Sequence, residues 1–171
     1  MGFRIAPEGW PFIAAAWLVA AALARFAPWY AAAAWGLIAL WVIAFFRDPV
    51  RAGPRGDDLV IAPADGEVVS VATVEEPDYV KGRAIRVSIF MNVFNVHVNR
   101  YPVSGLIEYR HYNAGAFGHA GAEKASLDNE QCSLGIATTH GRVLVRQIAG
   151  LVARRIVTDH QVGTKATQGE R

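Results

Sequence analysis

Hydrophobic and polar positions are arranged in two different ways along the chain. From Trp10 to Phe46 nearly every residue is apolar, and Arg25 is the only charge. The stretch divides there into Trp10–Ala24 and Pro28–Phe46. At 1.5 Å per residue these helical blocks would reach about 22 Å and about 28 Å, against a hydrocarbon core of about 30 Å. The second nearly spans. The first does so only by recruiting Gly9 and Phe26, and otherwise lies partly re-entrant. Trp10, Trp29, Tyr30 and Trp41 suit interface depth. The pattern predicts a membrane-anchoring helical hairpin over residues 1–46. A cleaved signal peptide is the competing reading, but the apolar region is doubled and too long for one, and Arg4 alone makes a thin basic lead.

From Leu59 onward the texture changes. Leu59–Ala62, Glu67–Val74, Ala84–Phe90, Val93–Val98, Leu106–Tyr112, Ser133–Thr138 and Val143–Ile148 are rich in β-branched and aromatic residues and read as strands. Asp65-Gly66, Lys81-Gly82, Ser104-Gly105 and His140-Gly141 punctuate them as turns. Gly150–Val157 reads as a short helix or a further strand. Residues 47–58, rich in Pro, Gly and charge, form a linker. The expected fold is mainly β within the α+β class: a compact antiparallel barrel or sandwich-like domain over 59–171 behind a transmembrane hairpin.

Charge then sets orientation. Arg4 precedes the hairpin and Arg47, Arg51 and Arg55 follow it, so both ends face the cytoplasm, with Arg25 at the far turn. The single cysteine, Cys132, excludes an internal disulfide and fits a reducing compartment. The part after the hairpin is thus expected on the cytoplasmic face of the inner membrane. A net charge of +2 with scattered basic residues argues against nucleic acid. Without CxxC or HExxH, no built-in zinc site is expected.

Chemistry concentrates between Phe90 and Gly105. His97 stands in an apolar run, where an imidazole is desolvated and tuned. Strand-like alternation with Val96 and Val98 would put His97 and Asn99 on one face. Asp65 supplies a carboxylate on a tight turn, and it is expected to meet His97 at one site. On spacing alone, Asp65-Gly66 is more often an ordinary hairpin turn and His97 more often a satisfied buried histidine. His111, His119, His140 and His160 show no metal spacing, and His119 is the next candidate after His97.

Several segments together resemble a known family. They are Phe45–Pro49, Ala62–Gly66, Asn95–Pro102, Ala116-Phe117, Glu123–Ser126, Asn129-Glu130 and Val145–Arg155. From about residue 40 to the end the chain resembles phosphatidylserine decarboxylase proenzymes of the short bacterial type. The resemblance implies a precursor that cuts itself at a Gly-Ser step, turning the serine into a pyruvoyl group. That ketone condenses with the amine of phosphatidylserine and acts as electron sink while carbon dioxide leaves, giving phosphatidylethanolamine. It implies that Asp65 serves self-cleavage and that His97 is an acid/base group. His119, Lys124, Asn129 and Glu130 are candidates to line the head-group pocket, with a solvated loop as the equal alternative for the last three. Some relatives carry a second histidine where this chain has Arg100, which leaves open whether His97 serves self-cleavage, decarboxylation or both. No Gly-Ser dipeptide occurs, and Gly169-Glu170-Arg171 matches the segment ahead of the cleavage step. The resemblance therefore implies that this chain is most of a β subunit whose pyruvoyl group sits on a short α subunit. A homodimer of such heterodimers is compatible with it.

Two other readings stand beside it. Pro63–Val69 resembles the turn-rich barrel of lipoyl and biotinyl carriers, a non-enzymatic module, but Lys81, Lys124 and Lys165 lack a carrier lysine's context. A membrane-tethered hydrolase using Asp65 and His97 would need a nucleophile elbow, and no serine has that context.

Overall fold

The Ala27-Pro28 step shapes the N-terminal part. The structure, a computed structural model, describes residues 4–116, 128–158 and 160–171. A proline disfavours helical backbone at the residue before it. Ala27 is accordingly extended (φ −123°, ψ 168°), and α1 (Trp10–Phe26) stops there. Pro28 then leads into α2 (Trp29–Phe45). The helices pack side by side, the Trp35 indole N–H donating to the Ala16 carbonyl at 2.9 Å. A 3-10 turn, Pro7–Gly9, runs into α1 and makes a continuous apolar helical run, Pro7–Phe26, of 20 residues. That run is long and apolar enough to cross a membrane, whereas α2 has 17 residues. The order of lengths expected from the apolar blocks is reversed, because the turn recruits Gly9 and the helix keeps Phe26.

The base of this hairpin is tied by backbone. Ala6 N–H donates to the Phe46 carbonyl at 2.8 Å, and Asp48 N–H to the Arg4 carbonyl at 2.7 Å. Gly9 permits this closure, since a Cβ there would lie 2.5 Å from the Phe46 Cβ. The same compact unit, residues up to Ala52, also contains Phe94–Val98. Val96 and Val98 are buried with Ala6.

The second unit, Gly53–Val93 with Asn99–Arg171, holds the strands. β1 (Glu67–Glu76) and β2 (Gly82–Phe90) form an antiparallel ribbon. β3 (Gly105–Asn113), β4 (Gln131–Thr138), β5 (Gly141–Ile148) and the short β6 (Lys165–Ala166) form a four-stranded antiparallel sheet, ordered β5-β4-β3-β6. Its core is Tyr101, Val103, Ile107, Leu134, Ile136 and Ala166. The chain is α+β, with two N-terminal helices and antiparallel sheets.

Two expected strands are corrected. Leu59–Ala62 lies extended beside residues 100–102 through Ile61 N–H to the Pro102 carbonyl and Arg100 N–H to the Pro63 carbonyl. Pro63 and Pro102 have no N–H of their own, so the ladder cannot continue. Val93–Val98 turns at Val93 and Phe94 instead of pairing. Its burial still alternates, with Val96 and Val98 buried and His97 and Asn99 partly exposed. Gly150–Val157 is neither helix nor strand.

The Gln168 side chain ties the C-terminal segment to two earlier ones. Gln168 is buried, and its amide donates to the Leu59 carbonyl at 2.6 Å and the Pro102 carbonyl at 3.1 Å. Its Oε1 accepts from Gly56 N–H at 2.9 Å. Three segments distant in sequence are thereby joined, with Gly169 N–H and Tyr101 N–H completing a paired step to Tyr101 and Glu170.

Candidate active site

His97 lies in the helical unit and Asp65 in the strand-bearing unit. The His97 ring is half-buried and stacked on Phe45, centroids 4.2 Å apart at 23°. Nδ1 is 3.1 Å from the Asn95 carbonyl oxygen. A carbonyl only accepts, so Nδ1 carries the proton, and in neutral imidazole Nε2 keeps the lone pair. Burial pushes the pKa down, the Asn95 carbonyl pulls it back up, and the Arg47 charge lowers it further; the net shift is downward. At neutral pH this is a neutral imidazole with a basic Nε2, able to take up a proton and return it.

Asp65 sits on the bend before β1 and has contacts of its own. The bend is not the hairpin turn that Asp65-Gly66 suggested. Gly66 instead brings the chain against the end of β2, where a Cβ would lie 2.4 Å from the Phe90 carbonyl oxygen. Asn99 has a buried Oδ1 that meets no donor among the described residues.

Of the four head-group candidates, His119 and Lys124 lie outside the described residues. Asn129 and Glu130 are buried where the chain enters β4. The Asn129 amide donates to the Ala149 carbonyl at 2.8 Å. Glu130 N–H donates to the Ala116 carbonyl at 3.0 Å, and its own carbonyl accepts from Ala149 N–H at 2.9 Å. Glu130 also lines an open cavity of about 580 Å³ with Arg110, Tyr112, Arg154, Arg155 and Thr158. Sequence reasoning did not single out these arginines as site residues: Arg110 and the Arg154-Arg155 pair stand far apart in the chain. It also missed the hydrogen bond between Tyr101 Oη and His160 Nδ1, 2.7 Å long, because nothing in their spacing signals it.

A family model for phosphatidylserine decarboxylase matches residues 38–171. The chain belongs to the phosphatidylserine decarboxylase family. Among similar curated proteins is one from Symbiobacterium thermophilum, 52% identical over 169 residues that cover 98% of this chain and 78% of the relative. Another from Nitrosomonas eutropha is 49% identical over 168 residues, 98% of this chain and 77% of the relative. A third from Aromatoleum aromaticum is 44% identical, covering 98% and 78%. Each bears the name phosphatidylserine decarboxylase proenzyme. His97, Asp65, Asn99 and Glu130 all fall within the stretch matched by the phosphatidylserine decarboxylase model.

Proposed function

We propose that this chain is the larger subunit of a membrane-anchored, pyruvoyl-dependent enzyme that decarboxylates phosphatidylserine to phosphatidylethanolamine in phospholipid synthesis. The observation that carries the reading is His97, a half-buried neutral imidazole with its proton fixed on Nδ1 and Nε2 left basic. The pyruvoyl group, carried by a short polypeptide from the same precursor, supplies the ketone that draws electrons from the substrate as carbon dioxide leaves. The unpartnered Asn99 Oδ1 suits the backbone of that polypeptide, since it offers a buried acceptor to an N–H of the second chain. The ribbon suits that polypeptide too. Val71, Val87 and Ile85 stand on one exposed face, at 65%, 52% and 75% exposure, and apolar faces of this kind favour a partner.

His97 takes up a proton from solvent at its basic Nε2 and passes it to the carbon that loses carboxylate, an acid/base step worth typically 10²–10⁴-fold. Asp65 serves the earlier self-cleavage as the carboxylate that orients or activates the serine. In the cavity, Arg110, Arg154 and Arg155 suit the phosphate and carboxylate of the head group, and Glu130 suits its ammonium. Asn129 shapes that pocket, and His119 and Lys124 belong to the same proposal.

Residues 1–46 are the anchor, 47–58 a linker, and 59–171 the catalytic domain, completed by the second polypeptide into a compact antiparallel β-domain. The helices support the anchor: apolar side chains such as Leu18 (72%), Leu37 (70%) and Phe26 (83%) are exposed in both. Arginines at both ends of the hairpin support an orientation with the catalytic domain on the cytoplasmic face. The test is carbon dioxide release from phosphatidylserine by the complete processed precursor, with mass determination of its polypeptides. Two chains, with a carbonyl-blocked N-terminus on the small one and inactivation by hydroxylamine, are expected. Full activity from residues 1–171 alone would overturn the pyruvoyl reading.

A further inference from the structure

We propose that Phe45 and Arg47, at the C-terminal end of α2, are positioning residues for His97, so that the anchor helix is itself part of the catalytic apparatus. The inference rests on the reading of His97 as the acid/base group.

Two contacts hold the imidazole, and Arg47 holds the segment that carries it. The Phe45 ring lies against its face, and the Asn95 carbonyl accepts a hydrogen bond from its Nδ1–H. Arg47 fixes the segment that carries it: one guanidinium nitrogen donates to the Ala44 carbonyl in the last turn of α2, and another to the Phe94 carbonyl at 2.7 Å. Phe94 opens the segment Phe94–Val98, so one planar group joins the helix end to the catalytic segment. Arginine's fixed fork can make both bonds at once, whereas an ammonium is a point donor. A cation also complements the negative end of the helix.

Phe45 is held in turn. It is buried at 9% exposure, with Phe46 edge-on at 5.1 Å and Trp41 tilted at 5.4 Å. Phe46 accepts the backbone hydrogen bond from Ala6 and stacks on Phe12. The stacked ring is therefore a fixed wall, and the imidazole edge bearing Nε2 is the one these contacts leave available. A displacement near 1 Å at a reacting group costs on the order of 10²-fold in rate. Arg47 is also the one charged group acting on the imidazole among the described residues.

The experiment uses the complete processed enzyme in mixed micelles with short-chain phosphatidylserine, so that anchoring does not limit access. Arg47→Gln and Phe45→Leu are expected to lower kcat by roughly 10- to 10²-fold with little change in KM, at unchanged yield of both subunits. In Arg47→Gln the limb of the kcat–pH profile that follows His97 moves to higher pH, because a nearby positive charge is gone. Arg47→Lys keeps that limb in place while still lowering kcat, and Phe45→Trp recovers most of the rate lost in Phe45→Leu. An unmoved limb in Arg47→Gln overturns the inference. A fully active His97→Ala enzyme overturns the reading of His97, and the inference with it.

Discussion

The ring of Tyr79 occupies the space that a side chain at Gly135 would need. A Cβ on Gly135 would lie 2.6 Å from the Tyr79 Cδ1. Tyr79 comes from the turn between β1 and β2, and Gly135 from the middle of β4, so the contact seats the ribbon's tip on the four-stranded sheet. Tyr109 stacks on the same ring at 5.5 Å, and the Arg142 guanidinium lies 5.3 Å from its centre.

Gly135→Ala is therefore expected to destabilise the protein by about 1–3 kcal/mol, the usual cost of overpacking. Denaturant midpoints measure it. In a Tyr79→Ala background the added methyl meets no ring, and its cost should largely vanish. An equal cost in both backgrounds would show that the two residues are not coupled.

Glu76 organises the same turn. Its carboxylate accepts N–H bonds from Asp78 at 3.3 Å, Tyr79 at 2.9 Å and Val80 at 2.7 Å. Burial opposes the charge, but these donors and the Arg146 charge outweigh it and hold the pKa below 4.5. A depressed carboxyl stabilises the fold above its ordinary pKa, and the contribution is lost as pH falls through the depressed value. Glu76→Gln should thus cost about 1–3 kcal/mol near neutral pH. Its deficit should shrink in thermal melts below about pH 4. A deficit constant from pH 7 to pH 3 would contradict this assignment.

How much of this was legible in the sequence depends on what specifies each element. β1 to β5 lie where β-branched runs and turn residues placed them, because a half-buried strand writes its period locally. Leu59–Ala62 failed because Pro63 and Pro102 end its pairing, an effect that appears only once the two segments meet. β6, two residues long, is too short to leave a pattern. His97 was conspicuous in its apolar run, but Phe45 and Arg47 belong to a different apolar block and its margin. Stacking and carbonyl capping across that distance leave no periodic trace. Gln168 is similar: a buried amide joining three segments reads in sequence as one polar residue near a terminus.

The exposed apolar surface of α1 and α2 leads to a prediction about the membrane. Alkaline carbonate is expected to leave the full-length protein in the membrane fraction, because both helices present large apolar side chains outward. Arg substitutions at Leu18 and Leu37 should shift it toward the soluble or aggregated fraction, at about 2.5–3.5 kcal/mol per charge near a helix centre. Quantitative release of the unaltered protein by carbonate would remove the membrane hairpin from the reading.

Asp65 and His97 should fail differently when substituted in the complete precursor. Asp65 lies on a bend that Gly66 holds against the end of β2, and the role proposed for it is in the self-cleavage step. Asp65→Asn is expected to leave mainly uncut precursor on a gel, and activity should fall in proportion to the missing small subunit. His97→Ala should still yield some cut enzyme, whose carbon dioxide release per cut molecule falls 10²–10⁴-fold. Burial and the Arg47 charge hold the imidazole's pKa below 6.5. The matching limb of the wild-type kcat–pH profile should therefore lie below that value and be missing from any residual activity of His97→Ala. Measuring cleavage and gas release on the same samples separates the two roles, because each variant then serves as the other's control. If both variants cut and decarboxylate like the wild type, neither residue belongs to the site.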